Sequence, residues 1–186
     1  KGDALYARFG QLDRSTLGNG FLIGGYRNTV FLPEQRIAGL EVDVDGVLFN
    51  FPFVGIETFV ANLAAWDLLG FRIFGRPLLT LDVPIIPALE VGFSVASDSN
   101  PYYFADPDVI TIPEDPDAAS MFGFDVFLPI LTSGVATLAS FGDLAFQSGS
   151  TGAMLGIGGR LLGFLNYGAQ MRFLGANFIP SYFDSS

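Results

Sequence analysis

The sequence predicts an all-β fold of antiparallel strands, and three observations lead there. The chain is punctuated by 23 Gly and 11 Pro, so no stretch is long enough for an uninterrupted helix. Segments of about ten residues alternate between large apolar and small or charged side chains, the period of a strand whose two faces meet different surroundings. Only 15% of the residues are charged, against roughly 25% in an average soluble domain, while 50% are hydrophobic, Phe alone contributes 20 and mean hydropathy is +0.45.

In chain order the segments fall at 4–13, 20–28, 35–45, 47–61, 68–78, 87–98, 120–130, 134–147, 151–162 and 165–175. The alternation is plainest from Ala88 to Asp98, where Leu89, Val91, Phe93 and Val95 take one parity and Glu90, Gly92, Ser94, Ala96 and Asp98 the other. From Met121 to Ile130 the apolar parity is Phe122, Phe124, Val126, Leu128 and Ile130, set against Gly123 and Asp125. Near the end Leu165, Tyr167, Ala169, Met171 and Phe173 alternate with Asn166, Gly168, Gln170 and Arg172. Asp45-Gly46 reads as a two-residue hairpin turn, which would set Val44 opposite Val47, Val42 opposite Phe49 and Leu40 opposite Phe51. That parity fails at Glu57, so a bend is expected near Pro52 or Gly55.

At 186 residues the length fits a single domain, 1–186, with one long acidic, Pro-containing loop at about 99–119. That loop carries Asp106, Asp108, Glu114, Asp115 and Asp117. Its carboxylates are ligands a hard cation would accept, but no EF-hand spacing is present, and Pro107, Pro113 and Pro116 read as a stiff, solvated excursion. The formal charge is −10 and Lys1 is the one lysine, which argues against a nucleic-acid partner. With neither Cys nor His, disulfides, thiol or histidine catalysis and Cys/His zinc sites are excluded. No cofactor or metal site is expected, and the chain is not expected to be an enzyme. No run of about 18 apolar residues predicts a spanning helix; Asn50, Pro52 and Glu57, or Asp82, Pro84 and Pro87, interrupt the best candidates.

These features resemble the outer-membrane β-barrels of bacteria with two-membrane envelopes. Tyr6-Ala7-Arg8-Phe9-Gly10-Gln11-Leu12-Asp13 with Gly18-Asn19-Gly20, and Phe178-Ile179-Pro180-Ser181-Tyr182-Phe183, look like the large barrels of that type. Such barrels usually end on a terminal aromatic, whereas this chain continues as Asp184-Ser185-Ser186, a departure that fits a segment of a larger barrel. The resemblance implies an antiparallel transmembrane β-barrel of about 8–10 strands in the bacterial outer membrane, with membrane lipid as its partner.

A soluble β-sandwich or closed β-barrel would explain the alternation too, with the apolar faces turned inward. Two features favour the membrane. A water-facing side would hardly be built from Gly92, Ser94, Ala96, Gly156, Gly158 and Gly168 with so little Lys, and aromatics recur near strand ends at Trp66, Tyr102, Tyr103, Phe104, Tyr182 and Phe183, as in interfacial girdles.

Within such a barrel Arg8, Arg72, Arg76, Arg160 and Arg172 are expected to meet Glu41, Asp43, Glu57, Glu90 and Asp125 in a lumen charge network. The expected function is a porin-like passive pore, with a small solute as the further partner, or a structural barrel. The rival reading is a soluble or surface-exposed β-domain that binds lipid or glycan. Oligomeric state is left open.

Facing is directly measurable. Val42, Phe49, Leu89, Val91, Phe93, Phe124, Val126 and Met171 are expected on the lipid side. Spin labels at Val91 and Glu90 should show opposite access to lipid-soluble and aqueous quenchers, and equal access would reject the assignment. Arg at a mid-membrane lipid-facing position should cost about 2–4 kcal/mol.

Overall fold

A computed structural model describes residues 3–29, 36–101 and 118–183. The strands are β1 (Leu5–Gly10), β2 (Ser15–Thr16), β3 (Gly24–Tyr26), β4 (Gly39–Asp45), β5 (Val54–Val60), β6 (Leu68–Gly75), β7 (Glu90–Asp98), β8 (Ala119–Thr132), β9 (Ala136–Gln147), β10 (Ser150–Leu161) and β11 (Leu165–Leu174). Among the described residues there is no α-helix, and none long and apolar enough to cross a membrane. The acidic loop expected at about 99–119 lies, for residues 102–117, outside the described residues, as do Tyr102, Tyr103 and Phe104.

Nine strands form one antiparallel sheet in the order β1-β4-β5-β6-β7-β8-β9-β10-β11, and β2 pairs with β3 separately. The sheet is open rather than closed into the expected barrel: among the described residues β1 and β11 each have one hydrogen-bonded neighbour. Pairing is antiparallel at every step, so β1 and β11 run in the same direction and have no antiparallel closure with each other.

Alternation along the wall follows the sequence. On β6, Leu68, Gly70, Arg72 and Phe74 are buried while Leu69, Phe71 and Ile73 are exposed. On β7, Gly92, Ser94 and Ala96 are buried against exposed Val91 and Val95, and on β8 Met121, Gly123 and Asp125 oppose exposed Phe122, Phe124 and Val126. The register stacks these into rows, with Ile73, Phe93, Phe124 and Leu144 side by side on the outer face. Phe124 keeps 51% of its surface exposed, so no element among the described residues covers this part of the face. A register shift at Pro129/Leu131 accommodates a proline that can donate nothing to the ladder.

The residues at 11–28 depart from expectation. The segment expected as a strand at 20–28 is strand only at Gly24–Tyr26, and it lies on the inner side of the sheet rather than in the wall. Its Leu12, Leu17, Phe21, Leu22, Ile23 and Tyr26 form the buried core with Phe59, Leu68, Ala96, Met121, Ala145 and Met154 of the wall. Tyr182 and Phe183, expected in an interfacial girdle, pack on that same core, and Phe178 stacks on Phe21 with ring centres 5.4 Å apart. The inner glycines make room for this filling. A Cβ on Gly123 would stand 3.0 Å from Leu22, one on Gly70 2.8 Å from Ile23, and one on Gly152 against the Phe178 ring.

Ser15 Oγ donates to Glu41 on β4, Gly18 N–H to Glu57 on β5, and Asn19 Nδ2 to the Val126 carbonyl on β8 and Asp143 on β9. A flat sheet would spread β4 to β9 over about 24 Å, beyond the about 14 Å of extended backbone from Ser15 to Asn19, so the sheet curls around the segment.

The Asp45-Gly46 turn is also different. Asp45 ends β4 opposite Gly55, and residues 46–49 form a 3-10 turn capped by the Asp45 carboxylate, which accepts from Val47 N–H at 2.9 Å. Asn50 closes the turn in the left-handed region at φ 57°. Asp side chains compete for local N–H groups in this way, and the longer loop wins over the tight hairpin. Val47, Phe49 and Phe51 therefore sit exposed in a loop instead of pairing with Val44, Val42 and Leu40. The loop also locates the expected bend, and it places Glu57 opposite Asp43 and Arg72 on the inner face.

Where the chain leaves β1 for the interior, Asn28 holds the turn. With 1% of its surface exposed, it accepts from Leu12 N–H at 2.7 Å and donates to the Gly10 and Ala61 carbonyls. Asn28→Leu should leave these buried groups unsatisfied and destabilise the fold by about 1–3 kcal/mol. Denaturant unfolding checks it.

Candidate functional site

The inner face is layered along β6. Leu68 and Gly70 meet the apolar filling, Arg72 forms an ionic layer, Phe74 follows, and Arg76 stands just beyond the strand end. Arg72 makes a two-pronged contact with Asp125, Nε to Oδ2 at 2.9 Å and Nη2 to Oδ1 at 2.6 Å, and its remaining nitrogen reaches Glu57. The fork matches the carboxylate plane, which makes this stronger than a single charge contact. Arg76 is shared by Asp45, at 2.6 and 3.1 Å, and Glu90, at 2.7 and 3.0 Å, and also donates to the Pro52 carbonyl. Asp45 chiefly, then Glu90, raises the Arg76 pKa above its ordinary value, although burial works the other way. The Phe74 ring centre is 4.8 Å from the Arg72 guanidinium and 5.2 Å from that of Arg76, distances at which the ring attracts both charges.

Glycine permits the buried pair. Gly92 lies opposite both Phe74 and Asp125, and Arg72 passes over it. A Cβ at Gly92 would collide with the Asp125 carboxylate and stand 2.7 Å from Arg72 Nε. Gly18, at φ +55°, brings its backbone to the same layer, where a Cβ would be 3.0 Å from Arg72 Nε. The filling is thereby seated on the ions. In the filling itself, Tyr26 is buried and its hydroxyl pKa is pushed up, with Asp67 and Asp98 adding to the effect, so it stays neutral.

Above the ionic layer, at the end carrying the 46–53 and 76–89 loops, a cavity of about 290 Å³ is lined by Asp3, Asp43, Asp45, Glu57, Phe74, Arg76 and Glu90, among others. Five carboxylates face one arginine there, so it is an electronegative vestibule. Among the described residues, no group of three His, Cys, Asp or Glu side chains is placed to hold a metal ion.

Of the ten charges expected in one network, Glu57, Arg72 and Asp125 meet in one cluster and Arg76 and Glu90 in a second. Asp43 lines the vestibule beside them. Glu41 is buried and accepts from Ser15, one strand away from Arg8, which is its register partner and donates to the Asp13 carbonyl at 3.0 Å. Arg160 and Arg172 are exposed on β10 and β11, far along the sheet from the clusters. Asp45, Asn19, Asp143 and Asn28 escaped the sequence reading. Asp45 was hidden by its turn signal, while Gly18-Asn19-Gly20 stood out as a phrase without revealing which strands it would touch. No protein-family model, curated protein or solved structure matches this chain.

The arrangement can hold the filling to the wall and keep charge buried. Removing one partner strands the others. Arg72→Gln should destabilise by about 3–5 kcal/mol, and Arg72→Gln with Glu57→Gln and Asp125→Asn should recover part of the loss. Equilibrium unfolding of the two variants checks both. Gly92→Ala should cost about 1–3 kcal/mol by overpacking the same spot.

Proposed function

We propose that this chain is the wall and filling of an outer-membrane β-barrel that acts as a closed structural barrel, without catalysis, in the bacterial envelope. The observation that carries this reading is the inverted distribution of side chains. The curled sheet turns Phe71, Ile73, Phe93, Phe124, Leu155 and Met171 outward and buries Arg72, Asp125 and Glu41 inside. Contact with lipid makes that arrangement favourable, whereas water does not. β8 to β11 have 10–14 residues, enough for the about 9–11 that a tilted crossing needs. Exposed Phe49, Phe51 and Phe164 at one end and Trp66 at the other suit the two interfaces.

A closed barrel is favoured over an open pore because residues 12–26 and 178–183 occupy the inner side between β4 and β10. Small residues there accommodate side chains of the filling instead of water.

The rival, a β-domain that binds lipid at a surface, has one observation of its own. On the outer face a groove of about 650 Å³ is lined by Leu89, Val126, Leu128, Leu155, Ile157 and Met171, enough for an acyl chain.

Fractionation separates the two. The protein should remain with membranes through carbonate and salt washes and need detergent for extraction; recovery as a monodisperse, detergent-free species would overturn the membrane reading. In planar bilayers the inserted protein should be silent, and deletion of 12–26 should open ion conductance. Steady conductance from the intact protein would favour the pore.

A further inference from the structure

One end of the sheet carries apolar loops. The strand registers bring four connections to that end: 46–53 between β4 and β5, 76–89 between β6 and β7, 133–135 between β8 and β9, and 162–164 between β10 and β11. Past Arg76, whose charge is met by Asp45 and Glu90, these loops contain one charged residue, Asp82. Phe49, Ile85, Ile86, Val135 and Phe164 stand exposed on them, Phe164 with 74% of its surface. The described connections at the other end hold Asn62, Asp67, Ser99, Asn100 and Ser148. The two ends are chemically unlike.

The longest apolar loops stand where the wall is short. β4 and β5 have seven residues each and β6 has eight, below the about 9–11 that a tilted crossing needs, while β8 to β11 have enough. At about 3.4 Å per residue and a tilt of about 45°, seven residues reach about 17 Å of an apolar band about 25 Å tall. Loops 46–53 and 76–89 continue β4 to β7 from that point. Their backbone suits such surroundings. Phe51 N–H closes on Gly46, Leu79 on Arg76, Leu81 on Leu78 and Leu89 on Ile86, and Pro52, Pro77, Pro84 and Pro87 have no N–H to satisfy. Irregular backbone is tolerated at membrane depth where it lines an aqueous cavity, and Val47 and Arg76 line the vestibule. A tight turn at Ile85, φ 72° and ψ −57°, is closed by Ile86 N–H on the Pro84 carbonyl. That conformation is costly for a β-branched residue, and here it holds Ile85 and Ile86 outward.

We propose that this end of the sheet is immersed: the four loops lie among lipid acyl chains, and 46–53 and 76–89 complete the apolar height of the wall over β4 to β7. The inference rests on the membrane reading above and takes these loops deeper than an interfacial girdle. Lipid is the occupant their distribution selects. The exposed apolar residues follow the curl of the wall from β4 to β11 instead of gathering into one patch, so a docked protein or second copy would cover one sector and leave the rest in water. Acyl chains reach every sector. The loops are also continuous with the outer rows, as exposed Val135 is with Leu131 and Leu162 with Leu161.

Trp66 is the chain's one tryptophan and lies exposed at the opposite end. In the full chain, Trp66→Phe is combined singly with Phe49→Trp, Ile85→Trp, Phe164→Trp or, on the wall, Phe124→Trp. Each protein is reconstituted in phosphatidylethanolamine and phosphatidylglycerol vesicles with brominated acyl chains. The three loop variants should lose fluorescence to the brominated chains as the Phe124→Trp variant does, and should lose less to aqueous acrylamide than Trp66 of the unsubstituted protein. Loop variants quenched by acrylamide and not by lipid, with Phe124→Trp quenched by lipid, would overturn the proposal and keep the membrane reading. Lipid quenching at the loops without it at Phe124→Trp would keep the immersed end and reject the spanning wall. Lipid quenching at neither place would overturn both. Protection of the loops from both quenchers, as a partner protein or second copy seated on them would give, would overturn the proposal. Should a tryptophan variant fail to fold, Val135→Cys, unique in this cysteine-free chain, carries an environment-sensitive dye. Its emission should shift to the blue on insertion, and an unshifted emission would count against immersion.

Discussion

A guanidinium with 4% of its side-chain surface exposed must have its charge met within reach, and much of the inner architecture depends on meeting that of Arg72. Asp125 has to come from two strands away, which needs the intervening β7 residue to be Gly92. Glu57 has to point inward, which needs the 46–53 loop to set the register of β5 on β4. The residue of the filling closest to the pair has to lack a side chain, which Gly18 provides. Each requirement is met by a residue that looks unremarkable on its own.

The ionic layer divides the interior into two chemically different spaces. On one side, apolar side chains of 12–26 and 178–183 pack against Met121, Ala145 and Met154; on the other, an acidic vestibule opens between the 46–53 and 76–89 loops. Backbone donors of the filling end on wall carboxylates, as Gly18 does on Glu57. Burying charge there costs desolvation energy, which the forked Arg72–Asp125 contact and the nearby Phe74 ring offset. The wall, in turn, is fitted to its contents through Gly70, Gly123 and Gly152, where Ile23, Leu22 and Phe178 occupy the space a side chain would take. The scarcity of bulk on the inner face and the richness of large residues at 12–26 are one design seen from two places in the chain.

The outer face follows a simpler logic. Period-two alternation sends every second residue outward, and neighbouring strands in register bring those residues into continuous rows. Among the described residues no element covers them, and they stay exposed. The open edges of β1 and β11 pose the same question for backbone hydrogen bonds that the outer rows pose for apolar side chains.

Local pattern by itself determined the strands of the wall and the face each residue takes. Val91 and Glu90, Phe124 and Asp125 separate as their parity requires, since a pleated strand has no other way to place adjacent side chains. Three things were decided only by tertiary structure. The Asp45-Gly46 signal was overruled because Asp45 caps a longer turn, and no local rule ranks that above a tight hairpin. Residues 20–28 look like a strand locally, but their apolar side chains find partners only when the curled wall surrounds them. Ion pairing was legible as composition and not as geometry: Arg72 and Arg76 found carboxylates because strand order brought Glu57, Asp125, Asp45 and Glu90 to them, while Arg160 and Arg172, equally plausible in sequence, lie towards the open end of the sheet. Parity is a property of one strand, whereas a contact between β6 and β8 is a property of everything that sets their register and spacing.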